Sequence, residues 1–80
     1  MTLASLTELI VKSLVKEPDD ISVKAFEEEN EIIIEVMVKE SDMGSVIGRE
    51  GKIANAIRTV VQASSYIKDN KQVKININAF

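Results

Sequence analysis

At Ile21 the hydrophobic period of this chain changes from three-to-four residues to two, and at Ser41 it changes back. These switches constrain the fold strongly, because helical and strand periods present different sets of side chains to a core. Before the first switch, Leu3, Leu6, Leu9, Ile10 and Leu14 recur at helical spacing, and Thr2 is placed to cap the start, which predicts a helix over residues 2–16. Pro18 ends it by forcing the residue ahead of it out of the α region, so Glu17-Pro18-Asp19-Asp20 reads as a turn. Between the switches, Ile21, Val23 and Ala25 alternate with Ser22 and Lys24, and the stronger run Ile32 to Val38 follows. The acidic stretch Glu27-Glu28-Glu29-Asn30 joins the two as the tip of an antiparallel hairpin. In the second strand Ile32, Ile34, Val36 and Val38 share one face, and Ile33 and Met37 point the other way.

After the second switch, Ser41-Asp42 signals a short helix that reaches Ile47, and Gly48-Arg49-Glu50-Gly51 interrupts the pattern. From Lys52 to Lys68 the helical period is clear: Ile53, Ile57, Val60, Ser64 and Ile67, with Ala56 beside them, form the expected core face. Lys52, Asn55, Thr59, Gln62 and Tyr66 cover the opposite side, with Ala54 and Val61 on a shoulder between them. Asp69-Asn70 breaks this helix, and Val73, Ile75, Ile77 and Ala79 alternate as a last strand. The order α-β-β-α-α-β predicts an α+β fold in one domain over residues 1–80, with three helices on one face of a three-stranded sheet. Ala54, Val61, Ile33 and Met37 are candidates for a contact between chains.

Composition excludes several functions. The chain is 45% hydrophobic but only 4% aromatic, so its core must be aliphatic. No apolar run approaches the roughly 18–20 residues that span a bilayer. The first five residues place no basic segment ahead of an apolar one, which argues against a secretory leader and makes the cytoplasm the expected location. There is no histidine, no cysteine and no carboxylate pair placed in an apolar cleft, so neither an enzyme nor a metal or cofactor site is expected. The net charge of −3 disfavours indiscriminate binding of nucleic acid, yet it is unevenly spread. Residues 1–40 carry four lysines against ten carboxylates, whereas residues 41–80 carry six cations against three carboxylates, so an anion site belongs in the second half.

The chemistry concentrates between Val46 and Arg58. Glycines at a helix–helix turn supply backbone conformations that a side chain makes costly, and they let another backbone approach closely. With Arg49 and Lys52 beside them, and amide donors at the start of a long helix, they form a recipe for gripping a sugar-phosphate chain. Taken alone, Gly-x-x-Gly is most commonly just a tight interhelical turn, and its context of strand, short helix, long amphipathic helix and strand is what points further. The spacing Gly44, Gly48, Gly51 matches neither the dinucleotide fingerprint nor the P-loop. Val46 and Ile47 are placed to offer an apolar floor to unstacked bases. Arg58 reads as a phosphate or base contact or as an ordinary exposed arginine, and Asn55 as an RNA contact or an ordinary polar position. No stacking platform is expected, since Phe26, Tyr66 and Phe80 lie outside the motif.

The run Val46-Ile47-Gly48-Arg49-Glu50-Gly51-Lys52-Ile53, continuing to Ile57, resembles the signature of KH domains, whose GXXG loop clamps four nucleotides. The element order resembles the type II arrangement. Asp42-Met43-Gly44 before the signature, and Ala56 to Val61 after it, resemble the stand-alone bacterial KH proteins of the KhpA (YlqC) family. The resemblance covers essentially the whole chain. It implies a cytoplasmic protein that binds single-stranded RNA, as a homodimer or with a larger Jag-type KH partner, in post-transcriptional control or as an RNA chaperone. The residues it implies for RNA are Val46, Ile47, Gly48, Arg49, Glu50, Gly51, Lys52, Asn55 and Arg58. Glu50 departs from the basic or polar residue usual there, and its carboxylate either opposes phosphate by about 1 kcal/mol or points to solvent. The alternative is a protein-interaction subunit with little RNA binding of its own. Aspartate at both Gly48 and Gly51 is expected to keep the fold and remove binding.

Overall fold

Thr2 and Ser5 begin the fold by capping each other. The Thr2 hydroxyl accepts the Ser5 N–H at 3.0 Å and the Ser5 hydroxyl accepts the Thr2 N–H at 2.9 Å, which satisfies two of the amide donors that a helix start leaves without partners. In the computed structural model, which describes Met1–Phe80, helix α1 then runs over Leu3–Leu14. Strands β1 (Ser22–Glu27) and β2 (Glu31–Val38) form the expected hairpin, with Phe26 opposite Ile33 and Ser22 opposite Met37. A 3₁₀ turn (Glu40–Asp42) leads into α2 (Met43–Ile47), and a second (Arg49–Gly51) into α3 (Lys52–Lys68). Strand β3 (Gln72–Ala79) lies parallel to β2, giving a mixed sheet of order β1-β2-β3.

The central strand supplies the core as its alternation requires. Ile32, Ile34, Val36 and Val38 are buried against the helices, and Ile33 and Met37 are half-buried on the sheet face that no helix covers. At about 1.5–3 kcal/mol for each large aliphatic side chain removed from water, these four residues make β2 the largest strand contribution to stability. Leu3, Val11, Val46, Ile57, Val61 and Ile75 complete the cluster. Strand β1 contributes less: Val23 packs against the core, but Ala25, expected to alternate inward, is exposed.

Helix α3 is rotated from the sequence expectation. Its buried stripe is Ala54, Ile57, Val61 and Ser65, while Val60 and Ile67 are 50% and 86% exposed. Ala54 and Val61 therefore belong to the core and are unavailable as a surface for another chain. At 3.6 residues per turn the stripe lies about 80° around the helix from the arc of largest hydrophobic side chains. Small residues account for the difference. Ala54 admits close approach, and Ser65 is tolerated inside because its hydroxyl donates to the Lys71 carbonyl at 2.8 Å. The Ser65 carbonyl also accepts the Asp69 and Asn70 N–H groups, each at 2.7 Å, and Asn70 turns left-handed with φ 53°, ending the helix where expected.

Two local features hold α2 and its loop in place. Asp42 does not cap α2 with its side chain. Its buried carboxylate reaches instead to the end of α1, accepting the Lys16 N–H at 3.1 Å and the Glu17 N–H at 3.2 Å. In the loop, Gly48 has φ 76° and ψ 175°, a region open essentially to glycine alone, and Gly51 is left-handed with φ 74° and ψ 15°. A β-carbon on Gly48 would lie 2.6 Å from Cγ1 of Ile53, whereas one on Gly51 would meet nothing within 4 Å. Glu50 between them is also left-handed, at φ 56° and ψ 24°.

These contacts generate two stability predictions, each read by chemical denaturation. Asp42→Ala should cost about 1.5–3 kcal/mol, the range for hydrogen bonds to a charged group, and Asn should recover little because its NH₂ would face one of the two N–H donors. Gly51→Ala should cost about 1 kcal/mol from its dihedrals alone, and Gly48→Ala at least about 2 kcal/mol, from strain and the Ile53 clash together. Equal costs at the two glycines would refute the packing role of Gly48.

Candidate nucleic-acid interface

The nine residues singled out by sequence do not form one surface. Val46 is fully buried in the core, so its side chain is closed to any ligand. Its neighbour Ile47 is half-buried and remains the apolar residue next to the loop. Arg49, Glu50, Lys52, Asn55 and Arg58 are exposed. The three ion pairs of the chain engage Lys12, Lys39 and Lys71, which leaves Arg49 within the glycine turn and Lys52 just after it as unpaired cations flanking Glu50. The backbone of the turn is less free than the sequence suggests. The Gly48 N–H donates to the Gly44 carbonyl at 2.9 Å, the Gly51 N–H to the Gly48 carbonyl at 3.2 Å, and the Lys52 N–H to the Arg49 carbonyl. Much of any attraction for an anion at this turn therefore falls on the Arg49 and Lys52 side chains.

Aspartate at both glycines is thus a poor probe of the loop. At Gly48 the side chain would meet Ile53 within the fold before it reached a ligand. Replacing Arg49 and Lys52 removes charge without touching the packing.

Beyond the loop, one side of α3 faces the outer edge of β3. The Gln72 N–H donates to the Asn30 carbonyl and the Phe80 N–H to the Val38 carbonyl, so even-numbered residues of β3 turn their amides toward β2. Successive residues of a strand turn opposite ways, and the amides of Val73, Ile75, Ile77 and Ala79 therefore face the open edge. Helix α3 covers part of it. The Gln62 carboxamide donates to the Lys71 carbonyl at 2.9 Å and accepts the Val73 N–H at 2.8 Å, taking the place of a missing strand. One turn earlier, Arg58 donates to the Ile75 carbonyl at 3.4 Å and to the Asn55 side-chain oxygen at 3.2 Å. The helix and the strand run in opposite senses here, which sets Asn55 and the glycine turn beside the Ile77–Ala79 end of the edge.

Lys52, Asn55 and Arg58 thus follow the side of α3 that approaches the unpaired peptide edge around Ile77, with Arg49 and Ile47 at the loop end. The open strip between helix and edge is termed the trough. Sequence reasoning missed Gln62 and the strand edge. Gln62 lies seven residues after Asn55 and four after Arg58, a helical stripe visible in the sequence, but nothing local says which strand that stripe meets.

The chain matches the family described as KhpA/KhpB, KH domain, over residues 4–77. It is 51% identical to the RNA-binding protein KhpA of Clostridium perfringens over 72 residues, covering 90% of this chain and 95% of the relative. Against the RNA-binding protein KhpA of Thermotoga maritima the identity is 32%, with 90% of this chain and 93% of the relative covered. Among solved structures, Aquifex aeolicus Era Y63A bound to GDP.AlF4- superposes with a TM-score of 0.73 at 19% identity, over 98% of this chain and 30% of the Era chain. Era in complex with MgGDPNP and nucleotides 1506–1542 of 16S ribosomal RNA gives 0.68 at 20% identity, over 96% of this chain and 29% of that one. The chain thus spans less than a third of Era, and that likeness concerns the fold alone. The α-β-β-α-α-β order, the mixed sheet and the glycine turn between α2 and α3 are the type II arrangement expected, and the chain belongs to the KhpA/KhpB KH-domain family.

Proposed function

We propose that this chain is a non-catalytic KH module that holds single-stranded RNA through the Gly48–Gly51 turn, in the cytoplasm, as a post-transcriptional regulator or RNA chaperone. The observation that carries this reading is the pairing of two free cations, Arg49 and Lys52, with an open strand edge across the trough. The cations suit phosphate, which positions the strand, and the outward N–H and C=O groups near Ile77 suit the edges of unstacked bases. Asn55 and Arg58 lie between the two and suit sugar or base contacts. The names of the KhpA relatives support RNA as the ligand. Glu50 is exposed beside this path and weakens it without blocking it.

A second reading concerns partners. Leu6, Ile10 and Leu14 of α1, with Ile53, Ala56 and Val60 of α3, line an aliphatic groove of about 570 Å³. It lies on the side of α3 away from β3 and shares Lys52 with the trough, so an occupant there comes close to the loop end of the RNA path. A second copy of the chain offers the same stripe in return, as an isologous contact requires. A larger Jag-type KH protein is the other candidate, and its groove would have to be equally apolar.

Two measurements test these readings. In fluorescence anisotropy with labelled single-stranded RNA, Arg49→Ala with Lys52→Ala should weaken binding and flatten the plot of log K against log salt by about 1.4, the value for two lost phosphate contacts on a single strand. Glu50→Lys should strengthen it. A folded double variant with wild-type affinity and salt slope would end the loop assignment, and absence of RNA binding at low salt would favour the interaction-subunit reading. In sedimentation velocity, Val60→Glu or Ile10→Glu should convert dimer to monomer with RNA affinity retained per chain. A wild type that stays monomeric at high concentration would exclude the homodimer.

A further inference from the structure

We propose that the depression between α3 and β3 lined by Arg58, Thr59, Gln62, Ala63, Tyr66 and Val73 is a stacking subsite for one base of the bound RNA strand, beyond the nucleotides held at the glycine turn. The proposal rests on the loop reading above and extends its path.

The chemistry of the surface singles this place out. Four depressions mark the molecule. The one at the start of α1 includes Glu27 and Asp69, and the one beside Phe80 includes Asp19 and Asp20, so both oppose a polyanion. The α1–α3 groove holds Lys52 but no aromatic ring. Only the Tyr66 depression combines a cation, an aromatic ring and an apolar floor with no carboxylate in its lining. Its volume of about 440 Å³ falls in the range of about 300–1,000 Å³ common for small-molecule clefts.

Position supports the same occupant. Asn55, Arg58, Gln62 and Tyr66 lie at i, i+3, i+7 and i+11, one continuous line along α3. Arg58 belongs both to the trough and to the depression, so the two are continuous. From Lys52 to Tyr66 the helix rises about 21 Å, which leaves room for a strand to extend past the loop. Gln62 spends both ends of its carboxamide on the Lys71 carbonyl and the Val73 N–H, so the strand edge is closed at this point. A base arriving over Tyr66 finds the Lys71 carbonyl and the Val73 N–H already paired. It meets a half-exposed ring, an aliphatic floor and a fixed amide plane, and these favour face-on stacking with little regard to base identity. Tyr66, absent from the motif by sequence position, is thereby brought onto the RNA path by the direction of α3.

The chain contains one tyrosine and no tryptophan, so its intrinsic emission reports this site alone. The experiment compares oligoadenylates of four and eight nucleotides, by anisotropy and by tyrosine emission, in wild type, Tyr66→Ala, Tyr66→Phe and the Arg49→Ala/Lys52→Ala variant. The expected result is quenching of tyrosine by the octamer only. Tyr66→Ala should lose at least about five-fold in octamer affinity, the lower end of base stacking, with tetramer affinity kept and with Tyr66→Phe restoring the octamer. Equal effects of Tyr66→Ala on both lengths, or octamer binding without quenching, would overturn the subsite while the loop variant still tests the loop. Emission that changes with protein concentration in the absence of RNA would give the depression to a second copy and also overturn it. Failure of wild type to bind either oligomer would remove both readings.

Discussion

The parallel pairing of β2 with β3 is the constraint on which the arrangement depends. Antiparallel neighbours are joined by a tight turn, as β1 and β2 are through the acidic tip, but parallel neighbours require a crossover of a dozen or more residues. That crossover is the segment from Glu40 to Lys71, containing the short helix, the glycine turn and the long helix. The turn is therefore one corner of the connection that the sheet demands. Its rigidity is set by contacts at both ends: Asp42 ties the start of the crossover to α1, and Gln62 and Arg58 tie α3 to β3. A corner held so firmly fixes the backbone from which Arg49 and Lys52 project, which limits the backbone ordering entropy that would oppose a ligand.

The long helix serves three surfaces at once. Its small-residue stripe, Ala54, Val61 and Ser65 with Ile57, seals the core, its large aliphatic stripe, Ile53 and Val60, faces outward with α1, and its polar stripe from Asn55 to Tyr66 meets the edge of β3. The inversion of the usual pattern, in which small residues go inside and large ones stay partly outside, follows from geometry. A helix lying close over a sheet needs small contact residues, and the apolar surplus on its flank then has to be met elsewhere. This division puts the polar stripe and the apolar groove on different flanks of one helix, with Lys52 bordering both.

The strand edge shows the same economy of groups. An open β-edge is a template for unwanted pairing, and Gln62 closes part of it with a side-chain amide that imitates a peptide. The segment left open, around Ile77, is the part beside the loop. The edge is thus paired by a side chain at the Lys71 carbonyl and the Val73 N–H and left open at Ile77.

How much of this was legible beforehand follows from the range of each interaction. Local interactions were readable: the Thr2 cap, the stop before Pro18, the hairpin, the limits of α3 and its end at Asn70, because each depends on residues a few positions apart. The glycine turn and its flanking cations were readable for the same reason, and so was the family. The rotation of α3, the loss of Val46 to the core, the reach of the Asp42 carboxylate to residues 25 and 26 positions away, and the alignment of Gln62 and Tyr66 with β3 were not. By itself the sequence determined which segments are helix or strand and where the charge and the glycines fall, since periodicity and capping are local. Only the tertiary structure decided which face of each helix is inside and which strand edge the polar stripe meets, because burial depends on how closely two distant segments approach, and small side chains, silent in a hydrophobicity pattern, set that distance.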